Sequence, residues 1–299
     1  MTTLFQRLDA LEDALAAEHV DPGPFAEVFA AMRRHFRRWA ALETELLGGI
    51  AIPDFPNAAA VMETVLDAAD IERLARTERE RLREESPEAE NLMTLLDREG
   101  IKVYRPRFPA GPVTGVFLFD PDVGPAMTVA SGLDPASANA VFARFFGHYL
   151  IDNDPYRIRF AGDGPRDPVS ARAAAFGNAF LIGGDLLRGY LAARKTATPD
   201  AAAVLELAAY FEAPPALVVG RLVDGGDLDT AAGEALLGEL PSAAPEPDPG
   251  PTLVSERFTR LALEAHARGM LTASELAAHL ETDAATVRDL ASRFRLTAE

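Results

Sequence analysis

The chain has 299 residues, a formal net charge of −17 and no cysteine, with 48% hydrophobic and 25% charged residues. This length is sufficient for two or three domains with a substantial core. The lack of cysteine excludes disulfides, iron–sulfur clusters and thiolate zinc sites. The negative charge argues against a protein that coats nucleic acid through counterion release.

The sequence contains no pattern of a membrane or secreted protein. No run approaches the roughly 20 apolar residues that a membrane-spanning helix needs. The first twenty residues alternate apolar and charged positions, unlike the continuous apolar segment of a signal peptide. We therefore expect a soluble, cytoplasmic protein with no membrane partner.

An N-terminal helical region is predicted over residues 1–56. Its helices cover 3–20 and 24–47, with a Pro/Gly break between them and a stop at Gly48-Gly49. The second helix carries a basic cluster, Arg33, Arg34, His35, Arg37 and Arg38. Such a cluster forms either the solvated face of an amphipathic helix, which we prefer, or a small basic surface.

The segment 57–195 is predicted to form an α+β domain. Helical patterns cover 58–85 and 91–99, and three strands follow at 101–104, 113–120 and 126–130. A long apolar helix comes next, over 138–152. This order of elements predicts a mostly helical α+β fold with a small antiparallel or mixed sheet.

The helix over 138–152 is the most informative element of the sequence. Its phenylalanines cover a wide arc typical of a buried helix, whereas Arg144, His148 and Asp152 recur at i, i+4 and i+8. These three residues form one narrow polar stripe. A charged stripe on a buried helix is costly unless it is paired or lines a cleft. Arg144, His148 and Asp152 are therefore our candidate ligand-binding residues.

The remainder of the chain is predicted to be helical. One helix covers 169–193, and a helical pair with the size of a helix-turn-helix lies within 196–240, at 200–211 and 216–222. A Pro-rich linker covers 241–251. The C-terminal module, 252–299, contains helices at 254–268, 273–280 and 284–294, and Thr272 and Asp283 are placed as N-caps of the last two.

Several segments, in order, resemble the ImmA/IrrE family of metallopeptidases. IERLARTERERLR and NLMTLLDREGIKVY are similar to its opening helices and first strand, and GVFLFDPDVGPAMTVASG to its sheet hairpin. FARFFGHYLID occupies the place of its metal-binding H-E-x-x-H helix. ARAAAFGNAFLIGGDLL is similar to the next helix, and RFTRLALEAHARGMLTASELAAHL to its C-terminal segment. The resemblance implies a zincin-like peptidase core.

The motif positions of that family are degenerate in this chain. Arg144 stands in place of the first histidine, and a guanidinium has no lone pair for zinc. Phe145 replaces the glutamate that activates the metal-bound water, and Ser170 falls at the third ligand. His148 alone is retained. Even with a carboxylate from Asp163 or Asp167, the set is short of the three protein ligands of a catalytic zinc, so we expect no zinc and no other cofactor.

Two roles for the polar stripe stay open. In the first, Arg144 binds a carboxylate or another anionic group in the former substrate groove. In the second, Arg144 and Asp152 pair beside His148, neutralise each other's charge and bind no ligand. We prefer the second. A catalytic triad of Ser170, His148 and Asp152 is disfavoured, because no G-x-S-x-G turn surrounds the serine.

The C-terminal helices also have the layout of a DNA-binding unit. Thr286, Arg288, Ser292 and Arg293 would face a groove, but Asp283 and Asp289 would repel phosphates. DNA is therefore a possible partner, and a plain helical packing module is the preferred interpretation.

Together these patterns predict a non-enzymatic regulatory protein on a degenerate ImmA/IrrE scaffold. The resemblance implies a protein partner, repressor-like or related to stress responses or phage, or a small ligand in the former active-site cleft. The alternatives are a transcription regulator that binds DNA through its C-terminal helices and a zinc endopeptidase with substitute ligands. No pattern indicates an oligomeric state.

Overall fold

A five-stranded mixed sheet is the centre of the computed structural model, which describes residues 7–53, 67–85, 91–151, 157–162, 167–194, 199–241, 251–283 and 285–287. The strands lie in the order β4-β2-β3-β1-β5. Strand β1 is parallel to β3, whereas the other neighbouring pairs are antiparallel. The strands are β1 Lys102–Arg105, β2 Val113–Asp120, β3 Gly124–Val129, β4 Arg159–Gly162 and β5 Leu253–Val254.

Helices account for 65% of the structure. Those before the central helix are α1 Leu11–Ala17, α2 Ala26–Leu47, α3 Ala68–Glu85 and α4 Leu92–Arg98. The central helix and its successors are α5 Pro135–Ile151, α6 Pro168–Leu181, α7 Gly184–Arg194 and α8 Ala201–Phe211. The last described helices are α9 Pro215–Asp224, α10 Thr230–Glu239, α11 Glu256–Ala267 and α12 Ala273–His279.

The sheet lies between two helical layers. Successive side chains of a strand point to opposite faces, so Phe117 and Met127 pack on α3, α4, α5 and α6, whereas Val116 and Ala126 pack on the opposite side. That opposite layer is built from both ends of the described chain, α1 and α2 together with α11 and α12. A third apolar cluster is formed by the four helices α7, α8, α9 and α10.

The mostly helical α+β fold with a small mixed sheet is confirmed. The three predicted strands are present, and Thr272 caps α12 with a reciprocal contact to Glu275. Gly48, at φ 80°, ends α2 as predicted. Asp283 accepts a hydrogen bond from the N–H of Thr286, as an N-cap does, although most of the helix predicted over 284–294 lies outside the described residues.

One predicted helix, 169–193, is in fact two. It breaks at Ile182, whose extended backbone ends α6, and α7 begins at Gly184. Arg79 of α3 donates to the carbonyl oxygens of Ala179 and Phe180 at 2.7 and 3.1 Å. This guanidinium thus satisfies carbonyl groups that the helix end leaves open. The contact comes from a distant helix, so no local pattern indicated it.

Three further elements were missed. Strand β5 has two residues, too few to show a period of two, and the four residues of β4, RFAG, include no β-branched residue and end on a glycine. Helix α10 carries a weak amphipathic pattern in a run of small residues, although Asp229 caps it by accepting from the N–H of Ala232 at 2.7 Å. In each case the neighbouring elements, and not the local pattern, determine the conformation.

Candidate functional site

The central helix α5 begins at Pro135, a residue suited to a first helical position, and the carboxylate of Asp134 accepts the N–H of Ser137 at 3.0 Å. The helix directs its aromatic residues to both neighbours. Phe145 packs on Phe117 of the sheet with 6.0 Å between ring centroids, whereas Phe146 contacts Phe176 and Phe180 of α6. Phe145 therefore faces the apolar layer between α5 and the sheet.

Two glycines allow α5 and α6 to approach closely. A Cβ on Gly147 would lie 2.6 Å from the carbonyl oxygen of Ala173, and a Cβ on Gly177 would lie 2.8 Å from the backbone nitrogen of Arg144. The matched pairs run in opposite directions along the two helices, so the helices are antiparallel. This crossing determines which residues of α6 lie beside the polar stripe of α5.

The crossing brings His148 and Ser170 to neighbouring levels. Gly147 meets Ala173, and Ser170 lies one turn before Ala173, so His148 and Ser170 differ by about 3 Å along the helix axes. Both are buried, at 2% and 6% exposure. Arg144 is partly buried and lies about one turn away, near Gly177. Asp152, the third stripe residue, lies outside the described residues.

Asp167, a candidate substitute ligand, is the N-cap residue of α6. Its carboxylate accepts the N–H of Ser170 at 2.7 Å and lies 3.1 Å from the guanidinium of Arg159 and 3.5 Å from that of Arg157. Partial burial opposes the charged form, but these contacts together hold the pKa of Asp167 below its ordinary value. Asp163, the other candidate, lies outside the described residues.

The two residues that the resemblance aligns with the first zinc ligand and the general base cannot play those roles. Arg144 has no lone pair for a metal, and Phe145 is a fully buried phenyl ring against the sheet. Within the described residues, no group of three or more His, Asp or Glu side chains is arranged to hold a metal ion. We therefore derive no catalytic step through zinc.

The basic cluster of α2 is largely paired within the chain. Arg33 binds Glu12 at 2.5 and 2.9 Å, Arg37 lies 2.7 Å from Asp9, and Arg38 donates to the carbonyl oxygen of Ala278 at 2.8 Å. His35 is buried instead of solvated, which corrects its assignment to a solvated face. The histidine lies on the apolar side of α2, where aromatic rings enclose it.

The helical pair α8 and α9 has the angle of a helix-turn-helix, 104°, with a three-residue turn. Its second helix carries one cation, Arg221, which donates to the carbonyl oxygen of Ile182 at 3.0 Å and pairs with Glu72. This cation therefore contacts the protein itself. Of the predicted DNA-contacting residues, Thr286 is exposed, and Arg288, Ser292 and Arg293 lie outside the described residues.

Sequence reasoning missed a cluster of four charged residues between α2, α4, β1 and α11, of which Glu43, Asp97 and Lys102 are buried and Arg257 is partly buried. Lys102 lies 2.7 Å from Glu43, and Arg257 lies 2.8 Å from the other oxygen of Glu43. The backbone N–H of Arg257 donates to Asp97 at 2.8 Å. Burial lowers the pKa of Lys102 to about 8, although Glu43 opposes this shift. The signal in the sequence was a lysine between Ile101 and Val103.

The structure defines an α+β protein, mostly helical, with a five-stranded mixed sheet. Comparison of the sequence with models of known families finds no match, and comparison with curated proteins finds none either. Among the described helices, none alone is long and apolar enough to cross a membrane, and the bent pair α8 and α9 reaches that length and apolarity only when the two are taken together.

Proposed function

We propose that this chain is a regulatory binding protein built on a degenerate ImmA/IrrE-type, zincin-like scaffold, with no peptidase activity. The observation that carries the proposal is the burial of Phe145 against Phe117. A hydrolytic site needs a proton acceptor at the metal-bound water. A phenyl ring within the apolar layer supplies none, and Arg144 beside it adds a permanent positive charge.

The adjacent levels of His148 and Ser170 support the residue alignment behind this proposal. In the family, the last histidine of the motif and a carboxylate from the following helix bind one metal ion. Here the corresponding residues lie on neighbouring turns of α5 and α6, held by the glycine crossing. The arrangement fits a scaffold that has kept its helix packing and lost its ligands.

The proposed partner is a protein, repressor-like or related to stress responses or phage, or a small ligand, held at the former active-site cleft without cleavage. The resemblance to the family is the source of this partner class. The proposed location in the cell is the cytoplasm.

Zinc analysis of the purified protein and of a restored variant tests the proposal. The unaltered chain should hold well below one equivalent of zinc and should not cleave an unfolded protein substrate when zinc is added. Arg144→His with Ser170→Glu, which leaves Phe145 in place, should bind zinc with His148 because binding needs three ligands and no base. The matched control, Arg144→Gln with Ser170→Gln, should bind none.

Each result separates one part of the proposal. Stoichiometric zinc or zinc-dependent cleavage in the unaltered chain would overturn the loss of peptidase chemistry. A restored variant that folds, as judged by circular dichroism, and binds no more zinc than its control would overturn the assignment of Arg144 and Ser170 to ligand positions.

A further inference from the structure

A segment near the C-terminus covers the N-terminal layer and the sheet edge. We define the C-terminal strap as residues 251–283, which contain β5, α11 and α12. Its backbone pairing with the sheet consists of two residue pairs, Tyr104 with Val254 and Arg105 with Leu253. The strap covers the outer edge of β1 through this short strand, and further hydrogen bonds join its backbone at Arg257 and Ala278 to the side chains of Asp97 and Arg38.

A buried histidine lies under the strap. His35 of α2 is 2% exposed, and its imidazole lies between the ring of Tyr104, at 4.0 Å, and the ring of Phe258 in the strap, at 4.4 Å. Among the described residues neither ring nitrogen has a hydrogen-bond partner. An imidazole that makes no hydrogen bond in an apolar environment loses its interaction with water without compensation.

The contacts between the strap and the rest of the chain are unusually polar for a core. Arg257 pairs with Glu43, Tyr104 donates from its hydroxyl to Glu281 at 2.6 Å, and Arg38 donates to the carbonyl oxygen of Ala278. Burying a charge costs its hydration free energy, and an ion pair offsets this cost only if its geometry is good. Glu43 and Asp97 are buried at this contact, so the attachment of the strap depends in part on charge pairing.

From these contacts we propose that the strap opens as one unit, while the sheet and the helices on its other face stay folded, and that acid drives the opening through protonation of His35. This device is independent of the proposed loss of peptidase chemistry. Opening removes Phe258 from one face of the imidazole, so water reaches His35 and the protonated ring becomes stable. It also uncovers the outer edge of β1.

The charges around His35 act in the same direction. Burial first of all, and then the positive charge of Arg38 on the same helix and of His279 on α12, lower the pKa of His35 to about 3. Glu281 accepts a hydrogen bond from the hydroxyl of Tyr104. Lys102 and Arg257 lie on the far side of Trp39, and their positive charges pair with Glu43. The closed strap therefore favours the neutral form of His35, whereas in the open state the pKa of His35 returns to its ordinary value of 6.5. Acid favours opening between these two values.

The only tryptophan of the chain is a native probe of this motion. Trp39 is fully buried and contacts Phe258 at 5.2 Å and Arg257 at 5.1 Å, both in the strap. Acrylamide quenching of its fluorescence should increase severalfold as the pH falls from about 7 to about 4. The far-ultraviolet circular dichroism should keep most of its native amplitude over the same range.

Two variants and one control make the test specific. His35→Phe should shift the midpoint of quenching to lower pH, whereas His19→Asn, at an exposed histidine with φ 62°, should leave it unchanged. The chain has no cysteine, so Arg105→Cys with Leu253→Cys creates one possible disulfide across the β1–β5 pair. This disulfide should suppress quenching, and reduction should restore it.

Three outcomes would overturn the proposal. One is a loss of circular dichroism that coincides with the exposure of Trp39, since the strap would then open only with the whole fold. Another is an unchanged midpoint in His35→Phe. The third is quenching in the oxidised disulfide variant that equals that of the unaltered chain.

Discussion

At the scale of single residues, Lys102 shows how burial changes the chemistry of a side chain. The lysine is fully buried beside Glu43, and burial lowers its pKa to about 8 from the ordinary 10.5. Below pH 8 the amine is charged in both the folded and the unfolded chain. Between pH 8 and pH 10.5 the unfolded chain binds more protons, so the free energy of unfolding should rise with pH, by roughly 3 kcal/mol in total.

Urea unfolding at a series of pH values from about 7.5 to about 9 tests the lower part of this rise. The upper limit lies about one pH unit below the ordinary pKa of tyrosine, about 10. In Lys102→Met the rise should disappear, whereas Lys195→Met, at the other lysine of the chain, should retain it. A rise of equal size in both variants would show that another group causes it.

At the same scale, the side chain of Phe145 is coupled to the packing around it. A glutamate restored there would place a carboxylate in the apolar layer against Phe117, where its charge has no partner. For this reason the zinc-restoring variant leaves Phe145 unchanged. The identity of residue 145 and the packing of α5 against the sheet are coupled.

At the scale of elements, the crossing of α5 and α6 depends on glycine. Gly177→Ala or Gly147→Ala places a methyl group less than 3 Å from backbone atoms of the facing helix. Backbone atoms yield only if the helices separate, so each substitution should lower the free energy of unfolding by about 1–3 kcal/mol. Chemical denaturation measures the loss.

A glycine on α7 provides the matched control. A Cβ at Gly189 meets no atom within 4 Å, so Gly189→Ala should raise the free energy of unfolding by roughly 0.5–1 kcal/mol, as alanine does at an open helical position. If Gly177→Ala were as favourable as Gly189→Ala, the close approach of α5 and α6 would be wrong.

At the scale of the whole molecule, charge determines the expected response to nucleic acid. The net charge is −17, and Arg33, Arg37 and Arg38 of α2 and Arg221 of α9 contact acidic groups or carbonyl oxygens of the chain itself. Any DNA binding should therefore be weak and should vanish as salt rises.

Fluorescence anisotropy with a labelled duplex, measured across salt concentrations, checks this expectation. A duplex-specific affinity that persists at physiological salt would favour the alternative of a transcription regulator. The double variant Arg33→Gln with Arg37→Gln tests the α2 surface directly. It should leave the weak anisotropy change unaltered if that surface does not contact DNA.

Much of the fold follows from local pattern. The apolar arc of α5, the apolar run of β2, the glycine after α2 and the cap at Thr272 each act over a few residues, so the sequence alone indicates most of the helices and three of the five strands. The candidate site was harder to predict. The spacing of Arg144 and His148 was visible, but the place of Ser170 beside them depends on two glycines that no chemical motif includes.

The sequence by itself determined the α+β composition and the polar spacing of Arg144 and His148, because periodicity, caps and side-chain chemistry are local properties. Only the tertiary structure decided that the two ends of the described chain share one layer, that His35 lies between Tyr104 and Phe258, and that Lys102 lies beside Glu43. These contacts join residues far apart in the chain. Their geometry depends on the packing of whole helices on the sheet, and that packing has no signature in a short stretch of sequence.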